Sequence, residues 1–275
     1  MKIDINSVNP EEIKVVVIDI DGTLVNTEGS IPDENIEVIR KLQKMGKRII
    51  FASGRGLKSA KSVISKILSS GYTVVAYNGA MIEENGEIVY HRTLSSEKAI
   101  EFYKKMEEFE NAFVQAYIND DLYVPRLEKR AYDYEEHAGI PFTHAPDMIE
   151  LMRQNEPTKL LIIDSIDKLD LYKEKLQPLF PHIALVKSFG DFMEVLPNDV
   201  NKGDALRDLL KKEKIDMKSV ISFGDNDNDY SMLKMSGIGV AMGNAKSGLK
   251  EVADYVAPTH DSAGLAITLK RLFDL

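Results

Sequence analysis

Residues 14–23 read Lys-Val-Val-Val-Ile-Asp-Ile-Asp-Gly-Thr, and this stretch predicts both a buried sheet and a site at its edge. The aliphatic run from Val15 to Ile18 has no polar alternation, which is typical of a parallel strand buried on both faces. Asp19 and Asp21 then lie at the carboxyl end of the strand, where ligands bind in open α/β sheets. Because side chains alternate along a strand, these two carboxylates point to one side and can share a cation if the extended geometry persists to Asp21. The alternative interpretation is an acidic turn, since Asp and Gly favour turns.

Strands and helices alternate over the first 80 residues and again after residue 202. The pattern predicts helices over 32–45 and 57–69 and strands over 47–52 and 73–77. In the last part it predicts helices over 202–212, 230–235, 245–253 and 262–272 and strands over 219–223 and 238–241. This alternation predicts an α/β fold, a doubly wound parallel sheet with right-handed crossovers.

A different pattern fills the middle of the chain. Residues 81–90 predict a hairpin that turns at Asn85-Gly86, and short strand pairs beside helices follow, one pair flanking the Asn-Asp-Asp turn at 119–121. We therefore expect an inserted α+β domain over 83–188 and a core of 1–82 with 189–275, with crossings near Ile82 and Phe189.

Charge and hydropathy indicate which partners and which location to expect for this protein. Asp and Glu number 44 against 35 Lys and Arg, a formal net charge of −9, which argues against a nucleic-acid partner. No apolar stretch has the length of a membrane span, and the first residues lack the apolar core of a signal peptide. We expect a cytoplasmic protein without a membrane partner.

The chain contains no cysteine, which excludes disulfides, thiol nucleophiles and thiolate metal sites. Any metal must be bound by oxygen or imidazole. The five histidines show no metal-ligand spacing such as His-Glu-x-x-His, which argues against a zinc hydrolase.

Three further positions in the parallel part carry polar residues where a strand ends or a helix begins. The hydroxyl of Ser53 and the backbone N–H groups around Gly54, near a helix start, can hold an anion, although a plain helix cap has the same pattern. Asn78 gives the third strand a similar amide-bearing end, which by itself is a common turn. Lys202 opens a helix, where a lysine is most often solvated.

An acidic loop at 224–229 follows the strand over 219–223. Asp225, Asp227 and Asp229 alternate there with two asparagines and demand a counterion. A calcium loop of the EF-hand type is the alternative, but Tyr230 stands where that loop needs Gly, and Ser236 stands where it needs Glu.

The parallel sheet is expected to bring Asp19, Asp21 and Asp225 to one edge. This oxygen-only set suits Mg²⁺, and Ser53 and Lys202 would face the same centre. One carboxylate can then attack phosphorus and the other can move the proton, while the cation and the lysine stabilise the phosphoryl charge.

With these motifs the chain resembles the haloacid dehalogenase-like superfamily of phosphohydrolases, and within it the Cof-type branch with a large α/β cap after the third strand. The resemblance covers essentially the whole chain. Its four motifs correspond in order to the stretches at 19–23, 53–55, 202–203 and 224–229.

The resemblance implies an Mg²⁺-dependent phosphomonoesterase with Asp19 as nucleophile and Asp21 as general acid and base. It implies Mg²⁺ ligation by Asp19, the main-chain carbonyl of Asp21, and Asp225. Ser53, with Gly54 and Asn78 beside it, and Lys202 would hold the phosphoryl oxygens, Asn228 would assist, and Asp229 would orient Lys202 or the metal waters.

The resemblance implies that the insert selects the substrate and that the substrate is a phosphosugar or a phosphorylated cofactor. We expect a monomer or small homo-oligomer. Residues 126–134 form a charged aromatic segment that either contacts such a substrate or is a solvated helical face. A phosphosugar mutase and a non-catalytic binding module are the alternative functions. Retention of Asp19, Asp21, Lys202 and Asp225 argues against the binding module.

Overall fold

The computed structural model describes residues 2–187 and 191–275. The chain divides into two compact units, described here one after the other. The first comprises Met1–Gly54, Ala60–Val89 and Asn201–Leu275, and the second comprises Arg55–Ser59 and Tyr90–Val200. The predicted boundary after residue 82 thus falls inside the first unit, and the predicted crossing near Phe189 lies outside the described residues.

The first unit is built on one large sheet. Its strands are β1 (Val15–Asp19), β2 (Arg48–Ala52), β3 (Tyr72–Ala76), β4 (Met81–Glu84), β5 (Glu87–His91), β12 (Val220–Gly224), β13 (Ile238–Ala241) and β14 (Tyr255–Val256), of which the last two residues of β5 belong to the second unit. The order is β14-β13-β12-β1-β2-β3-β4-β5, parallel from β14 to β3 and antiparallel between β3 and β4. The predicted α/β fold with a parallel sheet is confirmed, and the predicted hairpin extends that sheet.

Strand β1 lies in the middle of this sheet, between β12 and β2, and all five of its residues are buried. The helices of the unit are α1 (Asp33–Lys44), α2 (Leu57–Ile64), α7 (Lys202–Lys212), α8 (Tyr230–Met235), α9 (Ser247–Val252) and α10 (Gly264–Phe273), of which the first residues of α2 belong to the second unit. Apolar residues of β1, β2, β12, α7 and α8 form one continuous cluster. Burial on both faces explains why β1 has an unbroken aliphatic sequence.

The second unit is an α+β unit around a sheet ordered β10-β11-β9-β6-β7-β8. The strands are β6 (Val114–Ile118), β7 (Asp121–Val124), β8 (Phe142–His144), β9 (Lys159–Ile163), β10 (Ile183–Lys187) and β11 (Phe192–Pro197). The helices are α3 (Ser96–Met106), α4 (Lys129–Ala138), α5 (Met148–Gln154) and α6 (Ile166–Leu176). One face of the sheet packs with α3, α5 and α6 in a second apolar cluster.

Some elements differ from the sequence-based expectation. Helix α2 ends at Ile64 instead of residue 69, and the chain continues in tight turns to Leu68. Strands β8 and β14 and helix α5 were not predicted. They have three, two and seven residues, which are too few to show a hydrophobic period in the sequence.

The charged aromatic segment at 126–134 has structural contacts. Tyr134 is buried, and its hydroxyl lies 2.9 Å from that of Tyr117. Arg126 and Arg130 donate to main-chain carbonyls, including that of Ile163.

Among the described residues no helix has both the length and the apolar character to cross a membrane.

Candidate active site

The polar residues predicted to meet follow neighbouring strands of the first sheet. Asp19 at the end of β1 is in register with Ala52 of β2, and Ile18 is in register with Phe223 of β12. The residues that come next, Ser53 on one side and Asp225 on the other, therefore start at the same edge. The topology alone brings the first, second and fourth motifs together.

Lys202 is fully buried and begins α7. The side chain of Asn201 caps this helix by accepting from the backbone N–H of Asp204 at 2.8 Å. Lys202 Nζ donates to Oδ1 of Asp19 and to Oδ1 of Asp229, at 2.6 Å each. The interpretation of Lys202 as a solvated lysine is wrong, since its ammonium group lies between two carboxylates.

Asp229 holds the acidic loop in shape. Its Oδ2 accepts from the backbone N–H groups of Asp225 and Asn226, at 2.9 and 3.0 Å, while Oδ1 accepts from Lys202. Asp227 is exposed and pairs with Lys246 at 2.6 Å, so it lies outside this cluster. The alternating aspartates of the loop thus have separate roles.

The turn after β1 is shaped to the carboxylate of Asp225. Gly22 has a φ of +79°, and a Cβ at this position would lie 2.4 Å from Asp225 Oδ2, so a side chain there is excluded. The hydroxyl of Thr23 donates to Asp225 Oδ1 at 3.2 Å. This role of Thr23 was not predicted, although its place directly after Gly22 is a signal for it.

A second group of the predicted residues forms around Ser53. The buried Ser53 donates its N–H to the carbonyl of Val75 at 2.8 Å and accepts from the N–H of Asn78 at 2.9 Å. A Cβ on Gly54 would lie 3.3 Å from the side-chain amide of Asn78. The amide of Asn228 donates to Asn78 Oδ1 at 2.9 Å. The structure therefore links these four predicted phosphate-binding residues.

Asp21 is exposed, and its charge adds to burial and to the charge of Asp229 in raising the pKa of both Asp19 and Asp225. A second unpredicted contact holds the main chain beside it, because Asn244 donates its side-chain amide to the carbonyl of Gly22 at 2.8 Å. The Gly-Asn pair after β13 resembles the strand-end asparagine at position 78, and that similarity could have identified Asn244.

Three carboxylates, those of Asp19, Asp225 and Asp229, surround one ammonium group in this cluster, and the pKa values of Asp19 and Asp225 are raised. Burial, and after it the charge of Asp229, raises the pKa of Asp19 well above its ordinary value, while Lys202 opposes the shift. Burial and Asp229 raise the pKa of Asp225 to about 7. Burial alone would lower the pKa of Lys202, but the attraction of Asp19 and Asp229 raises it above its ordinary value.

The donor set fits a hard divalent cation. Asp19, Asp225 and Asp229 each offer a carboxylate oxygen, and these oxygens lie within 4.8 Å of one another. Oxygen ligands suit Mg²⁺ and related ions, and a cation would relieve the repulsion that, after burial, raises the two aspartate pKa values. Since Asp229 already accepts from Lys202 and two amides, Asp19 and Asp225 are the better ligands.

Comparisons with known proteins agree with this geometry. Residues 16–269 match the model of the haloacid dehalogenase-like hydrolase family. Phosphatase YwpJ of Bacillus subtilis is 27% identical over 289 residues, covering 94% of this chain and 100% of that protein. The 5-amino-6-(5-phospho-D-ribitylamino)uracil phosphatase YcsE of the same organism is 26% identical over 261 residues, covering 94% and 95%. A Thermotoga maritima crystal structure is 33% identical, with a TM-score of 0.86 and coverage of 94% and 97%.

Proposed function

The chain belongs to the haloacid dehalogenase-like hydrolase family and is a hydrolase of the phosphatase type, and from this premise we propose that it is an Mg²⁺-dependent phosphomonoesterase that forms an aspartyl-phosphate on Asp19. The observation that carries the proposal is the buried ammonium group of Lys202 between Asp19 and Asp229. A lysine at this place holds the nucleophile in position and offers positive charge to a phosphoryl group.

Asp19, the main-chain carbonyl of Asp21, and Asp225 would hold Mg²⁺, which supplies positive charge to the phosphoryl oxygens and favours ionised Asp19. A carboxylate oxygen of Asp19 attacks phosphorus, and the bond from phosphorus to the leaving-group oxygen breaks. Asp21 gives its proton to that oxygen, so the alcohol leaves neutral. Asp21 is suited to this role because it is exposed near the reacting carboxylate.

The second half of the reaction uses the same two aspartates. Asp21, now ionised, takes a proton from water, and the resulting hydroxide attacks phosphorus and breaks the acyl-phosphate bond. Inorganic phosphate leaves and Asp19 is restored as a carboxylate. An acid at position 21 favours this hydrolysis over a stable phosphoenzyme, since related cation pumps carry Thr there.

The phosphoryl oxygens would be held by the group around Ser53. Ser53 offers a hydroxyl, Gly54 a backbone N–H without a side chain in the way, and Asn78 with Asn228 an amide pair. These neutral donors add to the charge of Lys202. Together they bind a dianionic group in a protein whose net charge is −9.

We propose a small phosphorylated metabolite, a phosphosugar or a phosphorylated cofactor, as the substrate. A relative named for a phosphorylated ribitylaminouracil substrate supports this class. Selection of the leaving group is proposed for the predicted insert at 83–188. Cytoplasmic location and assembly as a monomer or small homo-oligomer stay predictions from the sequence.

The test is release of inorganic phosphate from an aryl phosphate, with and without Mg²⁺. Asp19→Asn is expected to lower kcat by about 10³-fold or more, because an amide cannot act as the nucleophile. Asp227→Asn is the matched control, since Asp227 pairs with Lys246 outside the cluster and its loss should leave kcat within about twofold. Hydrolysis that survives Asp19→Asn would rule out the proposed nucleophile.

A further inference from the structure

The turn at 119–121 has no part in the chemistry proposed above, yet it is firmly held. Asn119 and Asp120 both have positive φ values, 51° and 65°, and Asp120 is only 6% exposed. Asn and Asp tolerate this conformation better than other residues with side chains. A buried carboxylate at a hairpin tip requires partners, and the structure shows them.

The partners are the first backbone N–H groups of α2. Asp120 Oδ1 accepts from the N–H of Leu57, and Oδ2 accepts from the N–H of Lys58, at 2.7 Å each. The residue before this helix is Gly56, which has no side chain to cap it. Asp120 therefore supplies from a distant turn the cap and the negative charge that the N-terminus of a helix favours.

Two further bonds hold the same segment. Lys58 Nζ pairs with Asp121 Oδ1 at 2.5 Å on the surface, and the buried Ser59 donates its hydroxyl to the carbonyl of Ala138 at 2.6 Å. These bonds explain why residues 55–59 group with Tyr90–Val200, although the sequence places them inside the first unit's βαβ pattern.

The segment is also the continuation of the proposed phosphate-binding turn, because only Arg55 and Gly56 separate Gly54 from Leu57. We propose that Asp120 is a positioning residue that holds the Ser53-Gly54 turn in its phosphate-binding form by capping α2. The inference rests on the proposed role of Ser53 and Gly54. Because Asp120 already accepts from the N–H groups of Leu57 and Lys58, the N–H groups proposed to bind the anion are those around Gly54.

A cap that positions a binding turn has a thermodynamic consequence. If the capped form binds phosphate better, bound phosphate must stabilise the cap by the same factor. The backbone N–H groups of Leu57 and Lys58 report the cap directly, because their hydrogen exchange is slow only while Asp120 accepts from them.

The experiment measures amide hydrogen exchange of residues 55–60 with and without inorganic phosphate and Mg²⁺, and aryl phosphate kinetics of the same proteins. Asp120→Ala is expected to speed the exchange about 2- to 30-fold, the range for loss of a helix cap. Phosphate is expected to slow this exchange in the unsubstituted protein but not in Asp120→Ala. KM should rise by a similar factor while kcat changes less than twofold.

Asp121→Asn is the matched control, since it removes only the exposed pair with Lys58, and it should leave exchange and KM unchanged. Asp120→Asn should recover part of the effect, because Asn is a good helix cap. Faster exchange in Asp120→Ala with unchanged KM and an intact response to phosphate would overturn the proposal and leave a purely structural cap. If Asp120→Ala does not fold, Asp120→Asn is judged by the same criteria with smaller effects.

The two proposals fail in different ways. The proposed function is contradicted if the protein releases no phosphate from any aryl phosphate while the amides of Leu57 and Lys58 exchange slowly. The role of Asp120 is contradicted if the protein hydrolyses aryl phosphates but phosphate does not change the exchange rate of these amides.

Discussion

Two buried lysines, one in each unit, show how similar contacts can serve different ends. Lys202 is 0% exposed and Lys159 is 2% exposed, and each ammonium group lies within 2.8 Å of a carboxylate oxygen. Lys159, at the start of β9, pairs with Glu194 of β11 and lies 5.0 Å from the ring centre of Tyr117. Lys202 begins α7 at the carboxyl edge of the first sheet.

The difference between them is the balance of charge. Lys159 and Glu194 form a pair of opposite charges in the middle of a sheet, where the attraction offsets the cost of burial. For both lysines burial would lower the pKa, and the facing carboxylates raise it above the ordinary value. Around Lys202, however, Asp19, Asp225 and Asp229 leave an excess of negative charge, which favours the binding of a cation. We therefore expect the first pair to stabilise the fold and the second cluster to perform chemistry.

The largest contrast is expected from the two lysine-to-methionine substitutions. Lys202→Met removes a donor to the proposed nucleophile and to the phosphoryl group, and should lower kcat for an aryl phosphate by about 10²- to 10³-fold. The measurement is phosphate release by folded protein, with folding checked by circular dichroism. A loss of less than about tenfold would show that Lys202 has no catalytic role.

The second contrast concerns stability. Lys159→Met breaks the buried ion pair with Glu194, and should lower the free energy of unfolding by about 3–5 kcal/mol in urea titrations. Glu194→Leu in the same chain should restore most of that loss, because replacing both charges with apolar groups removes the cost of desolvation. A double variant as unstable as the single one would mean that the loss does not come from the buried charge of Glu194.

The comparison also shows what sequence alone can predict. The parallel strands, Asp19 and Asp225 were predictable, because a buried parallel strand has a continuous aliphatic signature and its carboxyl end is a fixed place in the fold. Lys202 was less so, because it opens a helix, where a lysine is most often solvated. The pairing of Lys159 with Glu194 was not predictable, since it depends on the order of strands in the second sheet, which no local pattern encodes. Register pairs Glu194 with Leu161, two residues from Lys159, so the two side chains meet only after β9 and β11 have paired.

The cap on α2 was unpredictable for a related reason. Capping rules look for an acceptor next to the helix start, and Gly56 provides none. The acceptor is Asp120, 63 residues beyond Leu57 along the chain. The Asn-Asp-Asp turn was visible in the sequence, but its partner was not.

The smallest expected effect separates Asp225 from its neighbour Asp227 in the metal-free protein. The pKa of Asp225 is raised from an ordinary 3.8 to about 7, chiefly by burial and by Asp229. A carboxyl group whose pKa is higher in the folded state stabilises the fold at low pH, and this contribution is lost as pH rises from about 4 to about 7. Asp225→Asn should flatten that decline in the free energy of unfolding, whereas Asp227→Asn, at an exposed position, should not.

Mg²⁺ should counteract the same decline, because a cation bound by Asp19 and Asp225 favours their ionised forms. At about 100 times its dissociation constant, Mg²⁺ should add about 2.7 kcal/mol to the free energy of unfolding at pH 7, and Asp225→Asn should remove most of this gain. Lys159 and Glu194 are not among the residues proposed to bind the cation, so Mg²⁺ should leave the cost of Lys159→Met unchanged. Equal stabilisation of Asp225→Asn and the unsubstituted protein by Mg²⁺ would place the cation elsewhere and remove the distinction between the two lysines.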